Sequence, residues 1–240
     1  MDKITELAKM IDHSLLHPTM TDEDIKQGCM LAKKYNVATV CVKPYAIQQA
    51  VELLKESDVM VCAVIGFPHG NSSIDVKVFE TDQACRNGAL EIDMVVNIGK
   101  VLGEDWEYVE KELASVVAVT KKHNVALKVI FENDYLPSDH FKIKLCEICS
   151  RYYVEFVKTS TGYGFVKGAD GKYSYEGATD HDLILMRKYA APEVQIKAAG
   201  GIRTLDDLLR VKALGVTRIG ATATATIIED AKKRFAETVA

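Results

Sequence analysis

The sequence is short of several things, and each shortage narrows what the chain can be. Its longest strongly apolar run, Val59 to Phe67, is nine residues, far below the roughly 20 needed to cross a bilayer. The opening Met1–Glu6 carries acidic residues where a secretory leader needs a positive region and then an apolar one. The expected location is therefore cytoplasmic. Positive charge is not in surplus: 30 Lys and Arg against 34 Asp and Glu leave a net −4. A general nucleic-acid binder carries a basic excess, so neither nucleic acid nor membrane is expected as a partner. Six cysteines in 240 residues are too few for a disulfide scaffold. Cys29, Cys41, Cys62 and Cys85 stand singly in apolar segments, as buried reduced thiols do. Cys146 and Cys149 have C-x-x-C spacing, but there is no second pair, and His140 alone does not complete a zinc site. No Pro/Ser-rich linker interrupts the chain, and no G-x-G-x-x-G follows the first strand.

What is present is an alternation. Strand-like runs cover Ile11–Leu16, Val37–Val42, Met60–Phe67, Leu90–Val96, Ala126–Glu132, Val154–Thr159, Val194–Ala199 and Val216–Gly220. Most are continuously apolar, as in a parallel sheet covered on both faces. Amphipathic stretches lie between them, among them Asp24–Tyr35, Ile47–Lys55, Ile74–Cys85 and Asp105–His123. Thr21, Ser138 and Thr204 suit helix N-caps, while Asn36, Gly88, Asn124 and Gly215 suit helix ends. Eight units in 240 residues average 30 each, close to the size of a (β/α)₈ TIM barrel. The expected fold is α/β: one barrel domain over residues 1–240, entered from a short N-terminal helix. The widest spacing, between the strands starting at 154 and 194, contains Tyr163–Gly177, which reads as a long loop on the strand-end side.

A barrel keeps its site at the C-terminal ends of its strands. Two lysines interrupt apolar strands there, Lys158 in FVKTSTG and Lys197 in QIKAAGG. An unpaired buried ammonium is costly. Two facing one cavity would favour loss of a proton from one amine, leaving a nucleophile able to form a Schiff base. Asp93 on the fourth strand is placed to neutralise one lysine and relay protons. Asp12 on the first strand is placed to accept hydrogen bonds from hydroxyls, and Cys41 on the second to line the cavity. Lys128 and Glu132 read either as an ion pair at the same mouth or as a structural pair of the interior. Gly200-Gly201 and Gly220-Ala221-Thr222 follow two successive strands, and Thr161-Gly162 follows the one before. Backbone N–H groups at such ends, with the helix starting near Ala225, suit a phosphate. His13, His17 and His69 have no metal-ligand spacing and read as packing or capping residues.

The segments around Asp12, Asp93, Lys158 and Lys197, with GFPHG at 66–70 and RIGA at 218–221, together resemble the deoxyribose-phosphate aldolase family, in the same order along nearly the whole chain. The resemblance implies a class I lyase needing no metal or cofactor, which reversibly cleaves 2-deoxy-D-ribose 5-phosphate to acetaldehyde and D-glyceraldehyde 3-phosphate in deoxyribonucleotide catabolism. It makes Lys158 the Schiff-base lysine, with Lys197 and Asp93 assisting. Asp12 and Cys41 line the substrate cavity, and Gly162, Gly200, Gly201, Gly220 and Thr222 bind phosphate. Self-association into a homodimer stays open. Three departures stand out. Thr222-Ala223 replaces a serine pair common in the family, and the loop 163–177 is longer than usual. The last tyrosine is Tyr189 and the sequence closes Thr238-Val239-Ala240, where longer members carry a tyrosine tail. The alternatives are a metal-dependent phosphosugar aldolase or isomerase using those histidines, and a barrel that binds phosphosugars without turnover.

Overall fold

A computed structural model describes residues 2–236; the reading of the last residues, 238–240, lies outside them. The strands are β1 (Ile11–Leu15), β2 (Thr39–Val42), β3 (Met60–Ile65), β4 (Glu91–Val95), β5 (Ala126–Ile130), β6 (Phe156–Lys158), β7 (Val166–Lys167), β8 (Tyr173–Ser174), β9 (Gln195–Ala199) and β10 (Arg218–Ala221). Eight of them close a barrel in the order β1-β10-β9-β6-β5-β4-β3-β2, with every pairing parallel. The helices are α1 (Lys3–Ala8), α2 (Asp22–Tyr35), α3 (Ile47–Leu53), α4 (Ile74–Arg86), α5 (Ile98–Leu102), α6 (Trp106–His123), α7 (Asp139–Arg151), α8 (Asp180–Tyr189), α9 (Leu205–Ala213) and α10 (Thr224–Ala236). The expected TIM barrel and its leading helix are both there. Among the described residues no helix is long and apolar enough to cross a membrane.

Local chemistry sets the element boundaries. Thr21 and Asp24 form a reciprocal capping box at the start of α2, and Thr204 and Asp207 do the same for α9, each cap contributing about 1 kcal/mol. Asn36 and Asn124 end α2 and α6 in the left-handed region, which asparagine tolerates better than most residues. The apolar faces of the helices then pack on the outer faces of the strands. Ile25, Cys29 and Ala32 of α2 and Val109, Leu113 and Val116 of α6 join one continuous core with Ile11, Val40, Ile92 and Val129.

One reading of the sequence needs correction. Residues 163–177 are not a plain loop: they hold the antiparallel hairpin β7/β8, with Val166 opposite Ser174 and Lys167 opposite Tyr173. Gly168 accepts from Gly171 N and donates to Lys172 O, which closes the turn at the tip. Cys146 and Cys149 lie on α7, unpaired and buried. Burial pushes the Cys146 thiol up to about 12 and Cys149 well above its ordinary value, so both behave as core residues.

Candidate active site

The strands carry their polar residues to the barrel axis because alternate side chains point inward. Lys158 pairs in register with Lys197, and Lys197 with Arg218; Asp93 pairs with Lys128. The charges meet in one buried cluster. Asp93 Oδ2 accepts from both Lys158 Nζ and Lys197 Nζ, each at 2.7 Å. Its other oxygen accepts from Lys128 Nζ at 2.8 Å. Lys128 also pairs with Glu91 at 2.6 Å and lies 3.6 Å from Asp12. Lys197 donates to Asp12 as well, and Arg218 bridges Asp12 at 2.6 Å and Glu91 at 3.0 Å.

Burial opposes every charge in this cluster, and the partners decide the outcome. Burial would raise the Asp93 carboxyl, but Lys128, Lys158 and Lys197 outweigh it and hold the group well below the usual carboxylate range. Asp12 is lowered in the same way by Lys197, Lys128 and Arg218. Burial would lower Lys197 and Lys128, but the carboxylates around them hold both above the ordinary lysine range. Four cationic side chains thus meet three carboxylates. Lys158 has the fewest anionic partners, Asp93 alone.

Lys158 also forms part of the wall of a cavity of about 500 Å³ at the C-terminal ends of β1, β6, β9 and β10. Gly162, Gly200, Gly201, Gly220 and Thr222 share that wall, so the glycine-rich strand ends meet at one cavity. Tyr163, Phe165 and Tyr175, from the hairpin and its approach, close one side, and the Tyr163 ring meets Phe67 edge-on at 5.6 Å. Gly200 adopts φ +88°, and a Cβ there would come within 2.9 Å of Gly177 Cα. Only glycine lets the segment after β8 approach this closely.

Other expected residues fall elsewhere. Asp12 and Cys41 are buried below the cavity wall. Both oxygens of Asp12 are engaged by Lys197 and Arg218, and the Cys41 thiol lies 3.6 Å from that of Cys62. Lys128 and Glu132 do not pair. Lys128 turns inward to Asp93 and Glu91, whereas Glu132 lies beyond the end of β5 at φ +57° and accepts from Thr161. His13 is buried against the Thr224 hydroxyl at 2.9 Å, and burial pushes it down to about 4. His17 meets Thr19 at 2.7 Å, and His69 is exposed. Among the described residues, the groups able to hold a metal are Cys41/Cys62/Asp93 and Asp139/His181/Asp182, and neither includes those histidines. Glu91 and Arg218 escaped the sequence reading of the site. Their signal was present, a charge at the first position of β4 and of β10.

A family model described as DeoC/LacD family aldolase matches residues 6–225. The chain belongs to the DeoC/LacD aldolase family. Among relatives in that family, the deoxyribose-phosphate aldolase of Rhodopirellula baltica is 45% identical over 230 residues, 96% of this chain and 91% of its own length. The deoxyribose-phosphate aldolase of Caldanaerobacter subterraneus subsp. tengcongensis is 44% identical, covering 97% of this chain and 96% of its own. The tetrameric deoxyribose phosphate aldolase of Aeropyrum pernix superposes with a TM-score of 0.84 at 28% identity, over 96% of this chain and 93% of that one. As an aldolase of this family the protein is a lyase.

Proposed function

We propose that the protein cleaves 2-deoxy-D-ribose 5-phosphate to acetaldehyde and D-glyceraldehyde 3-phosphate, reversibly and through an imine on Lys158. The observation that carries this reading is the shared carboxylate oxygen: Lys158 and Lys197 both bond to Asp93 Oδ2, at the floor of a cavity ringed by glycine-rich strand ends. A buried cluster with one surplus positive charge is relieved by releasing one proton. Lys158, with a single carboxylate partner and access to the cavity, is the amine assigned as nucleophile.

The steps follow from that assignment. Lys158 Nζ adds to the C1 aldehyde and water leaves, giving a protonated imine. The C2–C3 bond then breaks. Its electron pair moves toward the iminium nitrogen to form an enamine, the C3 hydroxyl gives up its proton, and C3 becomes the aldehyde of the departing triose phosphate. The enamine takes a proton at C2, and water releases acetaldehyde from the lysine. Asp93, which accepts from both amines, and Lys197 serve as the proton-transfer pair. Asp12 holds Lys197 from below, and Cys41 packs beside Asp93. Backbone N–H groups at Gly162, Gly200, Gly201 and Gly220, with the Thr222 hydroxyl, bind the phosphate near the start of α10.

The same reading takes residues 1–240 as one catalytic barrel, acting in the cytoplasm and self-associating as a homodimer. Six unpaired cysteines suit a reducing compartment, and light scattering measures the assembly. Borohydride reduction with acetaldehyde tests the chemistry: a two-carbon adduct is expected on Lys158, and Lys158→Ala should abolish both adduct and turnover with an unchanged circular dichroism spectrum. An adduct on another residue, or active protein that yields none, would sink the mechanism.

A further inference from the structure

Six carboxylates are buried among the described residues: Asp12, Glu91, Asp93, Glu112, Glu132 and Asp182. Five have a cation beside them. Asp12, Glu91 and Asp93 belong to the axial cluster, Glu112 pairs with Lys77 at 2.7 Å, and Asp182 pairs with Lys142 at 2.5 Å. Glu132, only 1% exposed, forms no ion pair with any described residue. A lone buried carboxylate is costly. This one also sits on a left-handed backbone, φ +57°, a strained conformation for a non-glycine residue. Two unfavourable features at one residue next to the cavity call for a compensating role.

Its contacts supply that role. Glu132 Oε1 accepts from the Thr161 backbone N–H at 3.0 Å, and Oε2 accepts from the Thr161 hydroxyl. The same hydroxyl accepts from Tyr163 N–H at 2.9 Å. Gly164 lies so close that a Cβ there would stand 2.5 Å from Glu132 Cδ. One carboxylate therefore fastens both donors of Thr161, and through that hydroxyl the backbone of Tyr163. Thr161, Gly162 and Tyr163 are the cavity wall that follows Lys158 in the chain. We propose that Glu132 is a positioning residue of the substrate cavity, fixing the Thr161–Gly164 wall so that the phosphosugar is held against Lys158. Burial, aided by Asp134, pushes the Glu132 carboxyl up, and the bonds from Thr161 with the charge of Lys158 offset this only in part.

This inference rests on the imine reading above, and the test separates the two. Acetaldehyde is small and needs only the amine, whereas 2-deoxy-D-ribose 5-phosphate needs the wall. Glu132→Ala should raise KM for the phosphosugar tenfold or more, while borohydride trapping of acetaldehyde on Lys158 stays within twofold of the unmodified protein. Glu132→Asp keeps the charge but withdraws it by one methylene from Thr161. It should raise KM similarly, and it carries the test if the alanine variant fails to fold. Glu132→Gln keeps an oxygen for Thr161 N–H and an amide that can donate to the hydroxyl, and should restore KM to within about threefold. KM unchanged in the alanine and aspartate variants overturns the positioning role, as does trapping lost in step with KM. Absence of any Lys158 adduct in the unmodified protein overturns the imine reading itself, and the inference with it.

Discussion

Lys128, Lys197 and Arg218 each face at least two carboxylates, whereas Lys158 faces Asp93 alone, and the imine reading proposed above gives Lys197 a part in proton transfer. Lys197→Leu reduces the cluster to three cations against three carboxylates and removes the neighbour that shares Asp93 Oδ2 with Lys158. Turnover should fall by about a hundredfold or more, with slower borohydride trapping at neutral pH. Wild-type rates across the pH range would contradict the assignment. His13 gives a prediction of a different kind. Its folded value lies near 4 against an ordinary 6.5, so between these values the unfolded chain binds the extra proton. Stability from this group is present above about pH 6.5 and is lost as pH falls toward 4, about 3 kcal/mol in all. His13→Gln should flatten the slope of urea midpoint against pH across that window. A slope unchanged by the substitution would remove His13 from the account.

At the scale of elements, the hairpin β7/β8 depends on the segment that follows β8. Gly177 has φ +72°, and a Cβ on it would stand 2.6 Å from Gly200 O. Its N–H bonds to Asp134 Oδ2 at 3.2 Å. Gly177→Ala should therefore cost about 1–3 kcal/mol and raise KM for the phosphosugar, since the displaced segment carries Tyr175 into the wall. Urea denaturation and steady-state kinetics together check both effects. The barrel strands were legible because each is a run of several β-branched or apolar residues, and the helices because their caps are local. The hairpin was not. Its strands are two residues each, too short to display a period of two, and glycines at 164, 168, 171 and 177 read as loop. The cluster was legible in part. Lys158, Lys197 and Asp93 each stand out as charges within apolar strands, but Glu91 and Arg218 are 127 residues apart, and their meeting depends on how the barrel closes. The expected Lys128–Glu132 pair failed for a similar reason. A turn after β5 sends Glu132 toward the next strand's loop, a direction set by backbone conformation that residue type does not encode.

Across the whole molecule, the charge cluster draws on β1, β4, β5, β6, β9 and β10, six of the eight barrel strands. Removing one partner from such a buried set leaves a carboxylate less than fully paired. Arg218→Met should therefore cost about 3–5 kcal/mol, read from chemical denaturation. The loss should be nearly the same at low and high salt, because screening reaches buried pairs poorly. A loss that shrinks with salt would mean the pairs are more solvated than their burial implies. The hairpin tip at 168–171 is fully exposed, the sort of place where proteases nick a folded chain. The strands on either side of that excursion, β6 and β9, are neighbours in the barrel. A cut at the tip would thus leave two fragments meeting along two seams, β6 with β9 and β1 with β10. Asp12, Glu91, Asp93, Lys128 and Lys158 would lie on the first fragment, and Lys197 and Arg218 on the second. On the imine reading, the Lys158 amine and the Lys197 side chain that shares Asp93 with it would then come from different polypeptides, making catalysis a direct report of whether the two halves had found each other.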